Sequence, residues 1–205
     1  MRKAIFIRHG QTQSDVTGIK GRIDVDLSQE GIQQMAMIGY ILSKQDPKPD
    51  LIVTSPLKRA QVAGQIINPG NLVHLLAEQV NELDLGAMSG QIAQLDLEKY
   101  EQEREQYQAE SIREAIDRAM SLLNDLKDSK FQCVAVVSHS ILMTLLYQYL
   151  PKAPGLPASI PMLHGCGFEV SLEPEFKIIN LFPDTLLDSL KQSGWPLDQK
   201  IDLPL

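Results

Sequence analysis

Ala4-Ile5-Phe6-Ile7-Arg8-His9-Gly10-Gln11-Thr12 is an apolar run that ends abruptly in an arginine, a histidine and a glycine. With β-branched Ile5 and Ile7 inside it, the run predicts a short strand buried on both faces, as inside a parallel sheet. In open α/β sheets, ligand sites form where loops leave the carboxyl ends of such strands. Arg8 and His9 stand at such an end, and Gly10 lets the backbone turn close to whatever approaches it.

Three further stretches place related chemistry at strand ends. Leu51-Ile52-Val53-Thr54-Ser55 is a second apolar strand, followed by Pro56-Leu57-Lys58-Arg59-Ala60. Cys133-Val134-Ala135-Val136-Val137-Ser138 is a third, and it ends in His139. Between them lies the acidic turn Asn81-Glu82-Leu83-Asp84-Leu85-Gly86. Arg8, His9, Arg59 and His139 gathered at one sheet end would make an electropositive pocket. Two arginines from different elements suit a phosphate dianion better than lysines, because each guanidinium is planar and permanently charged.

The 205 residues are enough to bury a substantial core in a single domain spanning 1–205. The net charge of −7 argues against non-specific binding to nucleic acid or anionic membranes. It leaves room for a small anionic ligand, which a local cluster of cations decides. Cys133 and Cys166 are far apart and fit reduced thiols of a cytoplasmic protein, not a disulfide framework. Nothing in the spacing suggests a metal site or a cofactor. No stretch reads as a signal peptide or a membrane span.

Strands alternating with helices predict an α/β fold: a three-layer sandwich with a mostly parallel central sheet and helices on both faces. Gln11 to Asp26 reads as a loop, after which Ser28 caps a helix whose apolar face is Ile32, Met35, Ala36, Gly39 and Leu42. Ser55 as N-cap and Pro56 at the first position predict the next helix, to about Ile67. A third strand is predicted over Leu72–Leu76. Residues 87–130 read as a small helical insertion over the active end of the sheet. Within it, Ser111 and Glu114 form a capping box for a helix with Ile112, Ala115, Ile116, Ala119, Leu123 and Leu126 on one face. A helix follows His139 to Leu150, stopped by Pro151. Phe168–Leu172 and Phe176–Leu181 alternate around a turn and predict an edge hairpin, through which two copies could pair as a homodimer. A short helix and a packed Trp195 are expected in the tail.

The elements Arg8-His9-Gly10, Ser55-Pro56-Leu57-Lys58-Arg59-Ala60, Glu82-Leu83-Asp84-Leu85-Gly86 and Val137-Ser138-His139 occur in the order and spacing of one family. The chain resembles the histidine phosphatase superfamily, the phosphoglycerate-mutase-like enzymes. That resemblance implies that His9 is the residue that becomes phosphorylated, attacking phosphorus as a neutral imidazole. It implies that Arg8, Arg59 and His139 hold the phosphoryl oxygens, and that Glu82 is the acid that protonates the leaving alkoxide. Asp84 is the rival acid. Gly21, in Gly21-Arg22-Ile23-Asp24, matches a glycine whose backbone lies near the substrate, and His74 and His164 match no role.

Three positions depart from the family pattern. Asp15 stands where asparagine is usual, and an anion there is unfavourable beside phosphate unless protonated, turned away, or paired with Lys20 or Arg22. Ser140 replaces a glycine after the second histidine, where its hydroxyl and helix-start amide could face phosphate. Met88 replaces an aromatic and would soften the substrate wall. The expectation is a metal-independent phosphatase acting on a small phosphorylated metabolite. The alternatives are a phosphoglycerate-type mutase, which usually carries a longer insertion before the second histidine, and a non-catalytic member that binds phospho-ligands. A phosphoprotein substrate is disfavoured because the insertion should narrow the entrance.

Overall fold

The computed structural model describes residues 1–185 and 188, apart from 19, 69 and 92–94. The expected tail helix and Trp195 lie outside the described residues.

β1 (Lys3–Arg8) is central because five of its six residues are buried and both its faces are covered. Ala4 and Phe6 enter one core, and Ile5 and Ile7 the other. Between β1 and the next strand, a short helix α1 (Gln13–Thr17) and then α2 (Gln29–Ser43) run before β2 (Leu51–Thr54). The chain continues through α3 (Lys58–Ile66), β3 (His74–Leu76), α4 (Leu97–Glu103) and α5 (Ile112–Asp128). It closes with β4 (Cys133–Ser138), α6 (Ser140–Tyr149), β5 (Gly167–Ser171) and β6 (Lys177–Phe182). The sheet order is β3-β2-β4-β1-β5-β6, with the first four strands parallel and the β5–β6 hairpin antiparallel at the edge. Helices α2 and α3 cover one face, and α5 and α6 the other. This is the mixed α/β, mostly parallel architecture that the alternation of elements predicts.

Local expectations fare unevenly. Ser28 caps α2 through a hydrogen bond from the Gly31 amide, and Ser111 with Glu114 forms the capping box of α5. The buried stripe of α2 is Gly31, Met35, Ile38, Gly39 and Leu42, so Ile32 and Ala36 face outward. The loop from Gln11 to Asp26 contains α1, because Thr12 and Asp15 close a capping box of their own. Ser55 is not an N-cap. Its hydroxyl donates to Asn81 Oδ1 and receives the Leu57 amide, so α3 starts at Lys58 with no side-chain cap. β3 is shorter than Leu72–Leu76, since the Asn68 side chain takes both backbone groups of Leu72.

The stretch 87–130 divides in two. The apolar face of α5, from Ile112 to Leu126, lies in the core with Phe6, Val53 and Val136, while residues 95–98 reach the end of the sheet where Arg8 lies. Met88 packs against that same core instead of facing the phosphate end of the pocket. Among the described residues, no helix is long and apolar enough to cross a membrane.

Candidate active site

Parallel pairing of β1 with β4 brings His9 beside Ser138, whose carbonyl receives the His9 amide at 3.1 Å. The same sheet draws Ser55 to the Val137 carbonyl at 3.1 Å, which carries the start of α3, and so Arg59, to the same end. Gly10 is required here by packing. A Cβ there would lie 2.4 Å from the Gly31 carbonyl oxygen, so the close neighbour that demands glycine is the start of α2.

Four cationic or imidazole side chains converge. Arg59 Nε donates to His9 Nε2 at 3.1 Å and to His139 Nδ1 at 3.2 Å. Its terminal nitrogens are held by the carbonyls of Ile23 and Gly21. Gly21 adopts φ +117°, a backbone conformation that favours glycine, and a Cβ would meet the Ser89 hydroxyl at 2.8 Å. Arg8 donates to the Met162 carbonyl at 2.7 Å and to Asp15 Oδ1 at 2.8 Å. The His9 and His139 rings stand 5.1 Å apart, edge to face.

These bonds fix the tautomers. His9 Nε2 accepts from Arg59, and Nδ1 lies 2.7 Å from the Gly10 carbonyl, so the proton is on Nδ1 and the lone pair on Nε2 faces the cluster. His139 accepts at Nδ1, which puts its proton on Nε2, a buried atom with no partner among the described residues. Burial first, and then the charges of Arg59 and Arg8, hold the His9 imidazole well below the usual histidine pKa. Burial and Arg59, then the His9 and Arg8 charges, do the same to His139. Both rings are therefore neutral at neutral pH. Arg8 Nε is a second buried donor without a partner among the described residues. Buried unpaired donors beside a neutral lone pair suit an incoming anion with several oxygens.

Glu82 is also here. Asn81 orients its turn, and Arg22 and Arg118 hold its backbone carbonyl at 2.8 and 3.2 Å. The carboxylate takes the amides of Leu83 and Leu142 on Oε1 at 2.9 and 3.0 Å and that of Ile141 on Oε2 at 3.2 Å. It thus fills the N-terminus of α6, where a negative charge is favourable. Asp84 turns away. One oxygen pairs with Arg22 at 3.0 Å and the other receives the Gly86 amide, and it lies off the pocket wall.

A cavity of about 90 Å3 is lined by Arg8, His9, Asp15, Gly21, Arg59, Glu82 and Ser140, so all but one of the expected site residues share it. The exception is His139, which lies behind His9, reached through Arg59. Asp15 is paired, but with neither Lys20 nor Arg22. Its partners are Arg8, the Thr12 amide and hydroxyl, and His164, whose Nε2 lies 3.1 Å from Oδ2. That approach is close, but among the described residues His164 Nε2 makes no aligned hydrogen bond. Burial alone would raise the Asp15 pKa. The contacts with His164 and Thr12 and the Arg8 charge outweigh it and hold the carboxyl far below its usual range.

His164, to which the sequence pattern assigns no role, is a neighbour of the site. The signal lay in strand register. β5 runs antiparallel to β1 with Ile7 opposite Gly167, so the chain just before β5 passes Arg8 and His9. The Gly165 amide donates to the Arg8 carbonyl at 3.0 Å, and the rings of His164 and His9 are 6.0 Å apart.

Known proteins are similar to this chain. The chain is 29% identical to phosphoserine phosphatase 1 of Hydrogenobacter thermophilus, over 72% of this chain and 75% of that protein. It is 26% identical to a 2,3-bisphosphoglycerate-dependent phosphoglycerate mutase of Xylella fastidiosa, over 83% and 87%. A solved structure of a mutant phosphoserine phosphatase from Entamoeba histolytica, in complex with phosphoserine, superposes with a TM-score of 0.68. It has 22% identity and covers 91% of this chain and all of that one. The family model of the histidine phosphatase superfamily (branch 1) matches residues 4–175, and with the arginine–histidine cluster in place the chain belongs to that family.

Proposed function

We propose that the protein is a metal-independent phosphatase that hydrolyses a small phosphomonoester through a phosphohistidine on His9. The observation that carries this reading is the His9 tautomer: a neutral ring with Nε2 as lone pair, anchored through Nδ1 on the Gly10 carbonyl. In the first half-reaction Nε2 attacks phosphorus, the P–O bond to the alcohol breaks, and the alkoxide takes a proton from Glu82. In the second, water gives a proton to the Glu82 carboxylate as its oxygen attacks phosphorus. The P–N bond breaks, inorganic phosphate leaves and His9 is restored. Arg8 and Arg59 neutralise the equatorial oxygens, with His139 holding Arg59 from behind, so charge stabilisation needs no cation beyond the guanidinium groups. Glu82 Oε1 takes two of the three amide bonds, which leaves Oε2 as the oxygen from which a proton is handed over.

Mutase chemistry uses the same phosphohistidine, and the Xylella fastidiosa relative gives that second reading its support. The deciding experiment is phosphate release from a panel of phosphomonoesters in excess chelator, beside His9→Ala. Turnover should survive chelation and fall by about 10^4-fold or more in the variant, as when a covalent nucleophile is removed. Near-wild-type activity in a folded His9→Ala protein would overturn the phosphohistidine mechanism. Release that appears only with a bisphosphate primer would favour the mutase.

A further inference from the structure

Arg22 holds a place that no step of the proposed reaction uses. Its neighbours Gly21 and Ile23 line the phosphate cavity and hold Arg59 through their carbonyls, while Arg22 itself lies off the cavity wall. Its guanidinium turns to the acid instead, with Nε donating to the backbone carbonyl of Glu82 at 2.8 Å. Three consecutive residues therefore touch both the cation that grips phosphate and the residue that handles the proton. We propose that Arg22, braced by Glu110 and Arg118, is a positioning residue that fixes Glu82 relative to Arg59 and so sets the proton-transfer distance. The inference rests on the phosphatase reading and adds to it the residues that hold its acid in place.

The brace runs from the Arg22 loop to α5. Arg118, on that helix, donates to the same Glu82 carbonyl at 3.2 Å and to the Gln79 carbonyl at 2.9 Å, so two guanidinium groups converge on one backbone oxygen. Glu110, just before α5, ties them together. Its Oε1 accepts from Arg118 Nε at 2.6 Å, and its Oε2 accepts from Arg118 at 3.1 Å and from Arg22 at 3.2 Å. The same Oε2 takes the Asp84 amide at 3.1 Å, and Arg22 pairs with the Asp84 carboxylate at 3.0 Å. Two cations and two anions make the cluster neutral, so it acts on the site through geometry and not through net charge. Charge-assisted bonds from planar guanidinium groups hold direction as well as distance.

Ion pairs that only tied residues 87–130 to the sheet would be satisfied by Asp84 and Glu110. Here both guanidinium groups also spend a donor on the Glu82 carbonyl. The Glu82 carboxylate has fixed partners of its own, the amides of Leu83, Ile141 and Leu142. A turn released by Arg22 would draw the carboxylate away from them, and away from a phosphate held by Arg59.

The test measures kcat and KM for an alkyl phosphate and an activated aryl phosphate in Arg22→Met, alone and combined with Glu82→Gln. We expect kcat on the alkyl ester to fall by about 100-fold, the scale of an ångström of misplacement, with KM little changed. The aryl ester, whose leaving group needs no proton, should lose far less. In the Glu82→Gln background the Arg22 substitution should cost almost nothing further, because both changes disable one function. Arg22→Lys keeps one charged donor and should recover part of the lost kcat. It carries the same comparison if the methionine variant does not fold. Equal losses on both esters, or losses that multiply with Glu82→Gln, would make the network a fold anchor and overturn the inference while the phosphatase stands. So would wild-type kcat in the folded Arg22 variants. No phosphate release from either ester by folded wild-type protein removes the phosphatase reading and this inference with it.

Discussion

The two ends of β1 each set a cation against a carboxylate, and they are finished differently. At the start, Lys3 Nζ meets Glu169 Oε1 at 2.9 Å and Gln45 Oε1 at 3.3 Å, with both charged side chains under 10% exposed. At the other end, Arg8 meets Asp15 at 2.8 Å, yet its Nε stays buried without a partner among the described residues, as does His139 Nε2. The first pair is closed and can only hold the sheet together. The second is open, and its unmet donors favour whatever anion supplies acceptors. Unsatisfied buried donors mark the functional end of the strand better than burial or charge does.

Glu82 is the residue best able to break that rule. Three amides satisfy its carboxylate, so by hydrogen bonding alone it is a helix cap. If it is also the proton donor, Glu82→Gln should cut kcat/KM by about 10^2- to 10^4-fold on alkyl phosphates. An activated aryl phosphate, whose leaving group needs no proton, should lose far less. Equal losses on both substrates would reduce Glu82 to a cap.

The closed pair supplies the next largest effect. Lys3→Met leaves Glu169 as a buried, unpaired charge and should destabilise the fold by about 3–5 kcal/mol. Adding Glu169→Leu should restore most of that loss, since replacing both members of a buried pair with apolar groups is often neutral. Denaturant unfolding of the single and double variants measures this. In both, kcat/KM should be unchanged wherever the protein is folded. A catalytic defect in the folded double variant would mean that the two ends of the strand are coupled.

The same contrast explains what the sequence could disclose. Periodicity and caps within a few residues were legible: β1, β2 and β4 as unbroken apolar runs, and α5 through Ser111 and Glu114. The site was legible where strand ends carry it, at Arg8, His9 and His139. What stayed hidden depends on partners distant in sequence. Ser55 looks like a cap until Asn81, brought in from across a strand, takes its hydroxyl. His164 looks idle until antiparallel register sets it beside Arg8. Arg22 looks available to Asp15 until Asp84 and Glu110 claim it at 3.0 and 3.2 Å. Local pattern names a residue's propensity, but only the fold decides which of several partners it meets.

Asp15 gives the finest test, because it makes the open end partly closed. Its carboxylate occupies one arm of Arg8 and lines the phosphate chamber, so a substrate phosphate competes with a resident anion. Asp15→Asn keeps the shape and removes the charge, so KM for a phosphomonoester should fall by about three- to tenfold, the scale of one partly buried charge contact. Stability should move the other way. The Asp15 pKa is depressed in the folded protein, so the carboxylate contributes stability that is present above its unfolded pKa of about 4 and lost as pH falls below it. The variant should therefore unfold more easily than wild type at neutral pH, with the difference shrinking as the solution is acidified below about pH 4. Tighter substrate binding bought with a less stable fold would mean that Asp15 trades affinity for order at Arg8. A higher KM instead would mean that Asp15 holds Arg8 and His164 in the geometry that the phosphate needs.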